Sequence, residues 1–285
     1  MSGKALRPRR RSSGHARRPG RPLRSRVRGR LPSRGRVLAV LLFTAAVAGL
    51  VTLVNGPWLR VIAVAHVGER YTSTLELDQI MDGYRGVPLL SVDSEVLRRR
   101  LTELPAVADA QVTMQLPGEL RVSITEKRPA FIWRTTAVQL IGTADGSIIT
   151  ELLLSGQADA GLRGLPVVQD ERYASRALTV GDVLPEAELR VALRLIALDP
   201  DVIGSRARRL SVSMDDEHGF LIASLQPAWR AAMGFYQLDP REDRAAADAR
   251  LDRQLAAIRT LFVTRHERAV SWLDARNPGK VYWAP

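Results

Sequence analysis

The longest apolar stretch of the chain, residues 37–54, contains 18 residues and no charged side chain. As an α-helix it would span about 27 Å, close to the ~30 Å hydrocarbon core of a bilayer. Arg34 and Arg36 flank one end, and Trp58, a residue type that favours membrane interfaces, follows the other. The pattern therefore predicts one transmembrane helix over residues 37–55.

A cleaved signal peptide is the alternative interpretation of this stretch. Ala46-Val47-Ala48 has the small-residue spacing of a cleavage site. However, the basic region before the apolar run is far longer than that of a signal peptide, and the run continues past the site. Arginine pairs in that region also resemble a twin-arginine signal, but they lie too far from the apolar run. We favour an uncleaved anchor.

The residues after the anchor alternate between strand and helix patterns. A β-branched run over residues 59–67 predicts a strand. The S-x-x-E sequence at Ser73 is a capping box, which opens a short helix through Met81. Asp93 is an expected N-cap for a second helix over residues 94–104, in which apolar residues recur at helical spacing.

Two alternating runs, residues 107–116 and 119–126, then flank Pro117-Gly118 and predict a β-hairpin. The predicted order is β-α-α-β-β over about 70 residues. Leu97 and Leu101 of the second helix would pack against the inward side chains of the strands. We assign this unit to residues 56–128.

Residues 129–285 are predicted to be mostly β with inserted helices, so the fold class of the whole chain is α+β. Alternating apolar patterns and turn sequences predict strands over residues 131–134, 138–141, 148–152, 210–214, 220–225, 270–275 and 280–283. Helical spacing predicts helices over residues 186–198 and 245–262. Residues 154–163 are rich in glycine and polar residues, which predicts a loop.

The charge of the chain is concentrated at its beginning. Of the 42 basic residues, 14 lie in residues 1–36, which contain no acidic residue. The other 28 basic residues and all 30 acidic residues lie in the rest of the chain, which is therefore close to neutral. Residues 1–36 have too few large apolar side chains to fold, and we expect a disordered tail. By the positive-inside rule this tail is cytoplasmic and residues 56–285 lie outside. The basicity is thus no sign of specific nucleic-acid binding.

This organisation resembles the FtsQ/DivIB family of bacterial cell division proteins. In the β-α-α-β-β unit, which resembles the POTRA domain of that family, the matching residues are Val64, Val67-Gly68, Gly86, Leu89-Leu90, Val92-Asp93, Leu97, Leu101, Leu104-Pro105, Val107, Ala110, Val112, Pro117, Leu120, Val122, Ile124, Glu126 and Pro129. In the β-rich part they are Trp133, Gly146, Leu165-Pro166, Met233-Gly234 and Leu273-Asp274-Ala275-Arg276. The family often has aromatic residues at the positions of Ala106 and Leu116.

The resemblance implies a non-enzymatic scaffold at the division septum of the cytoplasmic membrane. Its β domain would bind FtsB/FtsL-type division proteins and connect them to the septal peptidoglycan synthase complex, without a cofactor. The alternative is a POTRA-containing accessory protein of export or secretion, which would hold exported chains by strand addition. An outer-membrane relative would need a C-terminal barrel of many strands, for which this chain has no room.

The residues themselves offer little catalytic chemistry. The chain contains no cysteine, so disulfides, thiolate catalysis and Cys-ligated metals are excluded. His15, His66, His218 and His266 lie in no metal-binding spacing. Asp215-Asp216-Glu217 coincides with a predicted hairpin turn, and we interpret Arg98-Arg99-Arg100 as a solvated helix face. We therefore predict no catalytic, cofactor or metal site.

The strongest candidate site is the last predicted hairpin. A terminal edge strand carries unpaired backbone groups, to which an extended segment of another protein can add as a further strand. Aromatic residues cluster there; some of them would serve core packing, and others would anchor a partner. The candidate partner-binding residues are Val270, Trp272, Leu273, Arg276, Val281, Tyr282 and Trp283.

Overall fold

The computed structural model describes residues 34–56, 59–153, 160–236 and 243–285. Helix α1, Arg34–Asn55, contains the predicted apolar run. Its segment 34–52 has a mean hydropathy of 2.0, and by length and composition it could cross a membrane. The helix begins three residues before the predicted span, because extending an existing helix by a residue costs little. The rest of the predicted tail and Trp58 lie outside the described residues.

The next elements form the β-α-α-β-β unit in the predicted order. The three strands make one sheet in the order β1-β3-β2, with β1 parallel to β3 and β2 antiparallel to it. The two helices connect the first strand to the hairpin. The elements are β1 (Ala63–Val67), α2 (Thr74–Asp82), α3 (Ser94–Thr102), β2 (Val107–Gln115) and β3 (Glu119–Glu126).

Strand β1 begins at Ala63, four residues later than predicted. The backbone of Val61 forms its hydrogen bonds with a loop and not with a strand. Its N–H donates to Val87 O at 2.9 Å, and its C=O accepts from Gly86 N at 2.9 Å. The side chain of Val61 is nevertheless buried. The apolar pattern therefore identified a buried segment, whereas its pairing partner is set by the fold.

Both helix starts carry the predicted caps. The Ser73 hydroxyl accepts a hydrogen bond from Glu76 N at 3.4 Å. The Asp93 carboxylate accepts from Glu95 N at 3.0 Å and from Val96 N at 3.1 Å. These bonds satisfy N–H groups that a helix leaves without partners in its first turn.

The predicted apolar faces of this unit meet in one core. Leu97 and Leu101 of α3 are fully buried, as the spacing predicted. Alternate residues of β3 pack against them, because strand side chains point to opposite faces in turn. The buried members are Val61, Leu77, Met81, Leu89, Val92, Leu97, Leu101, Val107, Ala110, Leu120, Val122 and Ile124.

The rest of the chain builds a nine-stranded mixed sheet in the order β12-β11-β10-β9-β8-β7-β4-β5-β6. Three neighbouring pairs, β4–β7, β7–β8 and β10–β11, are parallel. The strands are β4 (Phe131–Arg134), β5 (Val138–Gly142), β6 (Ile148–Leu153), β7 (Val167–Asp170), β8 (Ser211–Asp215), β9 (Gly219–Leu225), β10 (Ala228–Gly234), β11 (Trp272–Asp274) and β12 (Tyr282–Ala284).

Two of these strands, β7 and β10, were not predicted. Strand β7 is four residues long, too short for an alternating pattern to stand out from a loop. Strand β10 reads AWRAAMG and is rich in alanine, which disfavours strands when considered alone. Both are strands because neighbours lie on each side of them. Most of the predicted 154–163 loop lies outside the described residues; a short 3-10 turn, Ala160–Leu162, ends it.

Helices α4 (Glu186–Ile196) and α5 (Arg244–Thr264) cover one face of this sheet. Both contribute buried side chains to the same apolar cluster as strands β4 to β11. Asp248 of α5 lies 3.4 Å from the Arg190 guanidinium and 3.6 Å from that of Arg194, both on α4. The two helices predicted from 3.6-residue spacing thus lie side by side.

A third apolar cluster joins the β-α-α-β-β unit to the nine-stranded sheet. Ala106, which precedes β2, packs with Ile132, Ile141, Ile149 and Leu162. All five side chains are at most 6 % exposed. We call this cluster the junction. It shows that the two sheets share a dry contact in addition to the chain between β3 and β4.

Candidate partner-binding edge

The last two strands form a hairpin at one edge of the nine-stranded sheet. Strand β11 pairs in parallel with β10 on one side and antiparallel with β12 on the other. In the described part of the chain, β12 has no strand on its outer side. The predicted final hairpin is present, with strands of three residues each.

The register indicates which backbone groups of β12 face outward. Trp272 lies opposite Ala284, and the next residue, Pro285, has no N–H. In an antiparallel ladder, a pair either exchanges its own two hydrogen bonds or leaves them to the residues on either side. Since Pro285 cannot donate, the Trp272–Ala284 pair must exchange its own bonds. Alternation then makes Leu273–Trp283 the non-exchanging pair, so the N–H and C=O of Trp283 face the free edge.

Three of the candidate residues attach the hairpin to the core. Val270 and Leu273 are buried, and Val281 is partly buried against the same apolar cluster. The side chains of Val270 and Leu273 are therefore closed to a partner. Their contribution is to hold the backbone of the edge in place.

The outer face of the hairpin presents aromatic and charged side chains. Trp272 is half-buried, and its ring meets that of His218 edge-on at a centroid distance of 4.8 Å. Tyr282, on the same face, is 58 % exposed. The Arg276 guanidinium donates to the two Asp274 oxygens at 3.0 and 2.6 Å and holds the pKa of that carboxyl below its usual value.

Trp283 lies on the opposite face and is 40 % exposed. The Arg265 guanidinium, just after α5, lies 5.3 Å from the centroid of its ring. A cation over an aromatic face is attracted by the quadrupole of the ring. This contact holds the indole against the end of α5.

Gln254 of α5 holds the hairpin from behind. Its side-chain Nε2 donates to Met233 O at the end of β10 and to Ala275 O after β11, each at 2.8 Å. Its Oε1 accepts from the Tyr236 hydroxyl at 2.5 Å. Gln254 is fully buried, so it satisfies two backbone carbonyls that water cannot reach.

Glu267 fixes the connection from α5 to β11 in a similar way. The buried carboxylate accepts hydrogen bonds from the indole N–H of Trp229 at 2.7 Å and from Arg206 N at 2.9 Å. The Ser205 hydroxyl donates to the same side chain. Sequence reasoning missed both Gln254 and Glu267. The only signal for Gln254 was a polar residue on the apolar stripe of Leu251 and Leu255.

His66, His218 and the predicted acidic turn at Asp215 make structural contacts near this edge and elsewhere. Asp215 accepts from Glu217 N and His218 N at 3.0 and 2.6 Å, so it closes the β8–β9 turn. In the β-α-α-β-β unit, His66 Nε2 of β1 lies 3.2 Å from Asp78 Oδ1 of α2. In the described ranges, no group of three or more His, Cys, Asp or Glu side chains could hold a metal ion.

The structure thus brings the seven predicted residues into one hairpin and divides them by accessibility. Their role in binding stays a prediction. Exposed side chains are available at Tyr282, Trp283 and Arg276, whereas Trp272 and Val281 are partly covered.

Known proteins with similar sequences indicate the family to which this chain belongs. Residues 59–127 match the family described as POTRA domain, FtsQ-type. The chain is similar to the cell division protein FtsQ of Streptomyces bingchenggensis, with 30 % identity over 188 residues, 65 % of this chain and 70 % of that protein. It is also similar to FtsQ of Chloroflexus aggregans, with 23 % identity over 249 residues, 87 % of this chain and 82 % of that protein.

FtsQ of Chloroflexus aurantiacus is 31 % identical over 151 residues, which is 51 % of this chain and about half, 55 %, of that relative. The region that matches the family model, residues 59–127, contains the β-α-α-β-β unit that the structure shows after the apolar helix. The alignment with the Streptomyces protein extends the similarity to most of the chain. The chain belongs to the FtsQ/DivIB family of bacterial cell division proteins.

Proposed function

We propose that this chain is a non-enzymatic, membrane-anchored scaffold of the bacterial division machinery. Helix α1 would anchor it in the cytoplasmic membrane, with the basic tail inside and the POTRA domain (56–128) and β domain (129–285) outside. The charge asymmetry of the sequence supports this orientation. The similar proteins described above are all cell division protein FtsQ, which supports the role at the septum.

The partner site we propose is the free edge of β12. An extended segment of an FtsB/FtsL-type partner would pair with the outward N–H and C=O of Trp283 and so become a tenth strand. The observation that carries this proposal is the register of the hairpin, in which Pro285 forces those groups outward. Backbone bonds would provide affinity, and Tyr282 and Trp283 would contact the partner's side chains.

Through this partner the scaffold would help to control the septal peptidoglycan synthase. Nothing in that role requires chemistry by the chain itself. A scaffold needs a rigid edge, which the bonds of Gln254 and Glu267 support. It also needs a fixed position at the membrane, which α1 supports by its length and composition.

The edge can be tested with paired substitutions at two positions whose N–H groups do not face β11. Val281→Pro and Trp283→Pro remove a backbone donor, and Val281→Ala and Trp283→Ala remove only side-chain atoms. We expect each proline variant to bind FtsB/FtsL-type partners about tenfold or more weakly than its alanine counterpart, because loss of the donor leaves a carbonyl of the partner strand unpaired, at a cost of about 1–3 kcal/mol. Titration of the full chain in detergent would measure this difference.

Equal affinities of the proline and alanine variants would contradict strand addition, provided that thermal unfolding shows them folded. Depletion of the protein with a fluorescent fusion tests the broader role. Midcell bands and filamentous or unseparated cells support the division scaffold. An even envelope distribution with normal septation would contradict it and favour the export or secretion alternative.

A further inference from the structure

The POTRA sheet has two chemically different ends. Strands β1 and β3 are parallel, with Ala63 opposite Glu119 and Val67 opposite Ser123, so both start at one end of the sheet. Both finish at the other end, where the chain passes to the junction and to β4. The starting end is the one that the chain enters from α1. We call it the tip.

Three segments meet at the tip. Arg60 forms an isolated bridge with Pro88, and Ile62 N donates to Gly118 O at 2.8 Å. A Cβ atom on Gly118 would lie 2.3 Å from Arg60 O, so only glycine permits this close approach. The residues after the anchor, the loop before α3 and the β2–β3 turn therefore form one compact surface.

This surface exposes large apolar side chains. Ile62 is 68 % exposed, Leu90 58 % and Leu116 72 %. Ile62 and Leu116 flank the Gly118 contact, and Leu90 follows the Pro88 bridge. Exposed leucine and isoleucine side chains that gather at one end of a domain indicate an apolar contact.

The charges of the tip are close to balance. Arg85 Nε lies 2.5 Å from Asp82 Oδ1, and Arg121 lies 2.8 Å from Glu119 Oε1. The Arg60 guanidinium donates to Gly86 O at 3.3 Å. The contact that this surface favours therefore depends on its apolar side chains and little on charge.

The short connection between α1 and the tip limits how far the tip can lie from the membrane. Ile62 follows Asn55, the last residue of α1, by seven positions. A chain of that length spans at most about 25 Å. If α1 crosses the membrane, as the proposed function requires, the tip always stays within about 25 Å of the bilayer surface. The bilayer is then a permanent neighbour of the end of the domain that exposes Ile62, Leu90 and Leu116.

We propose that the tip inserts Ile62, Leu90 and Leu116 into the interfacial region of the lipid bilayer. The POTRA domain would thus be held upright on the membrane, with the junction and the β domain at the end away from it. The occupant is the lipid surface itself, and zwitterionic lipid is sufficient for binding because the tip charges are close to balance.

The absence of cysteine makes single-cysteine labelling direct. The full chain, one copy per nanodisc of zwitterionic lipid, would carry an environment-sensitive fluorophore at Leu116→Cys or Leu90→Cys, with nitroxide-labelled lipids as quencher. Leu75→Cys and Leu225→Cys are matched controls, since these leucines are 66 % and 88 % exposed but lie away from the tip. We expect lipid quenching at the tip to be several-fold stronger than at the controls, and unchanged in high salt.

A second arm removes the apolar contact without labelling it. With the reporter at Leu90→Cys, Ile62→Asp together with Leu116→Asp should abolish the excess quenching and leave thermal unfolding unchanged, because both side chains are exposed. Equal quenching at tip and control positions would overturn the proposal, and a partner or second copy would then be the occupant. A label at Val47→Cys in α1 separates the failure of the tip contact from the failure of the proposed membrane anchor. If the label at Val47→Cys is quenched and the tip labels are not, only the tip contact is wrong. If neither is quenched, the membrane anchor is wrong as well.

Discussion

Glu126 and Thr72, 54 residues apart, are joined by two hydrogen bonds to a single carboxylate oxygen. Thr72 donates to Glu126 Oε1 through its backbone N–H at 2.7 Å and through its hydroxyl at 2.6 Å. The N–H groups of Arg70 and Tyr71 donate to the same oxygen, each at 2.9 Å. The end of β3 thereby holds the segment between β1 and α2, next to the junction.

Glu126→Gln should lower the free energy of unfolding of the POTRA domain by about 1–3 kcal/mol at neutral pH, because an amide replaces a charged acceptor of several N–H groups. Burial raises the pKa of Glu126, but these hydrogen bonds lower it by more, so the pKa lies below the usual value of a glutamate carboxyl. The stabilisation is then complete above that value and is lost as the pH falls through the folded-state pKa. Thermal unfolding of both chains at pH 7 and pH 3 would measure it.

Glu119→Gln is the matched control in the same strand, because that carboxylate pairs with the exposed Arg121. It should change stability by at most about 1 kcal/mol. Similar effects of the two substitutions at pH 7 would contradict the role assigned to Glu126.

Gln254→Leu should loosen the edge hairpin selectively. It leaves the carbonyls of Met233 and Ala275 buried without their donors, at a cost of about 2–3 kcal/mol. Hydrogen exchange should accelerate at Leu273 and leave the POTRA strands unchanged. Gln111→Leu, at an exposed position of β2, is the control and should leave exchange in the hairpin unaltered.

Arg172→Met should destabilise the β domain by about 3–5 kcal/mol, because it leaves the fully buried Asp170 without its cation. Burial opposes the charge of Arg172, yet hydrogen bonds to Asp170 and Glu188 outweigh it and raise the pKa of the guanidinium. Asp170 also accepts from the Trp133 indole at 2.9 Å. Thermal unfolding is the measurement.

The exposed pair of Arg121 and Glu119 serves as the comparison for that prediction. Arg121→Met should cost at most about 1 kcal/mol. Adding Asp170→Asn to Arg172→Met should recover part of the loss, because the uncompensated buried charge is then gone. No recovery would indicate that packing, and not charge, dominates at this site.

Gly219→Ala should cost about 2–5 kcal/mol, the sum of backbone strain and overpacking. Gly219 has φ +68°, and a Cβ there would lie 2.4 Å from the carbonyl carbon of Gly234. Gly279→Ala separates the two causes: φ is +82°, but no atom lies within 4 Å. Its cost should be about 1–2 kcal/mol. If thermal unfolding shows that Gly219→Ala and Gly279→Ala lower the free energy of unfolding equally, the close approach of Gly219 to Gly234 has no effect on stability.

Much of the POTRA domain could be predicted from local sequence. Ser73 and Asp93 cap the helices that their spacing predicted, since a capping bond involves residues only two or three positions apart. Leu97 and Leu101 are buried because helical spacing alone places them on one face. The predicted start of β1 was wrong by four residues, because the backbone of Val61 pairs with a loop that is distant in sequence.

The β domain was less accessible to such reasoning. Strands β7 and β10 are defined by neighbours far away in sequence, and their short or alanine-rich segments carry little preference of their own. Glutamate is usually exposed, so the sequence gives no sign that Glu267 is buried. Only the fold places it beside Trp229 and Ser205.

The sequence by itself determined the apolar helix, the basic tail, the β-α-α-β-β order and the final hairpin, because periodicity, charge and turn chemistry are properties of neighbouring residues. Only the tertiary structure decided which strand lies at the edge, which backbone groups of Trp283 face outward, and that Ile62, Leu90 and Leu116 share one end of a domain. Those relationships join residues tens to hundreds of positions apart, and they exist only once the sheets have closed around their cores.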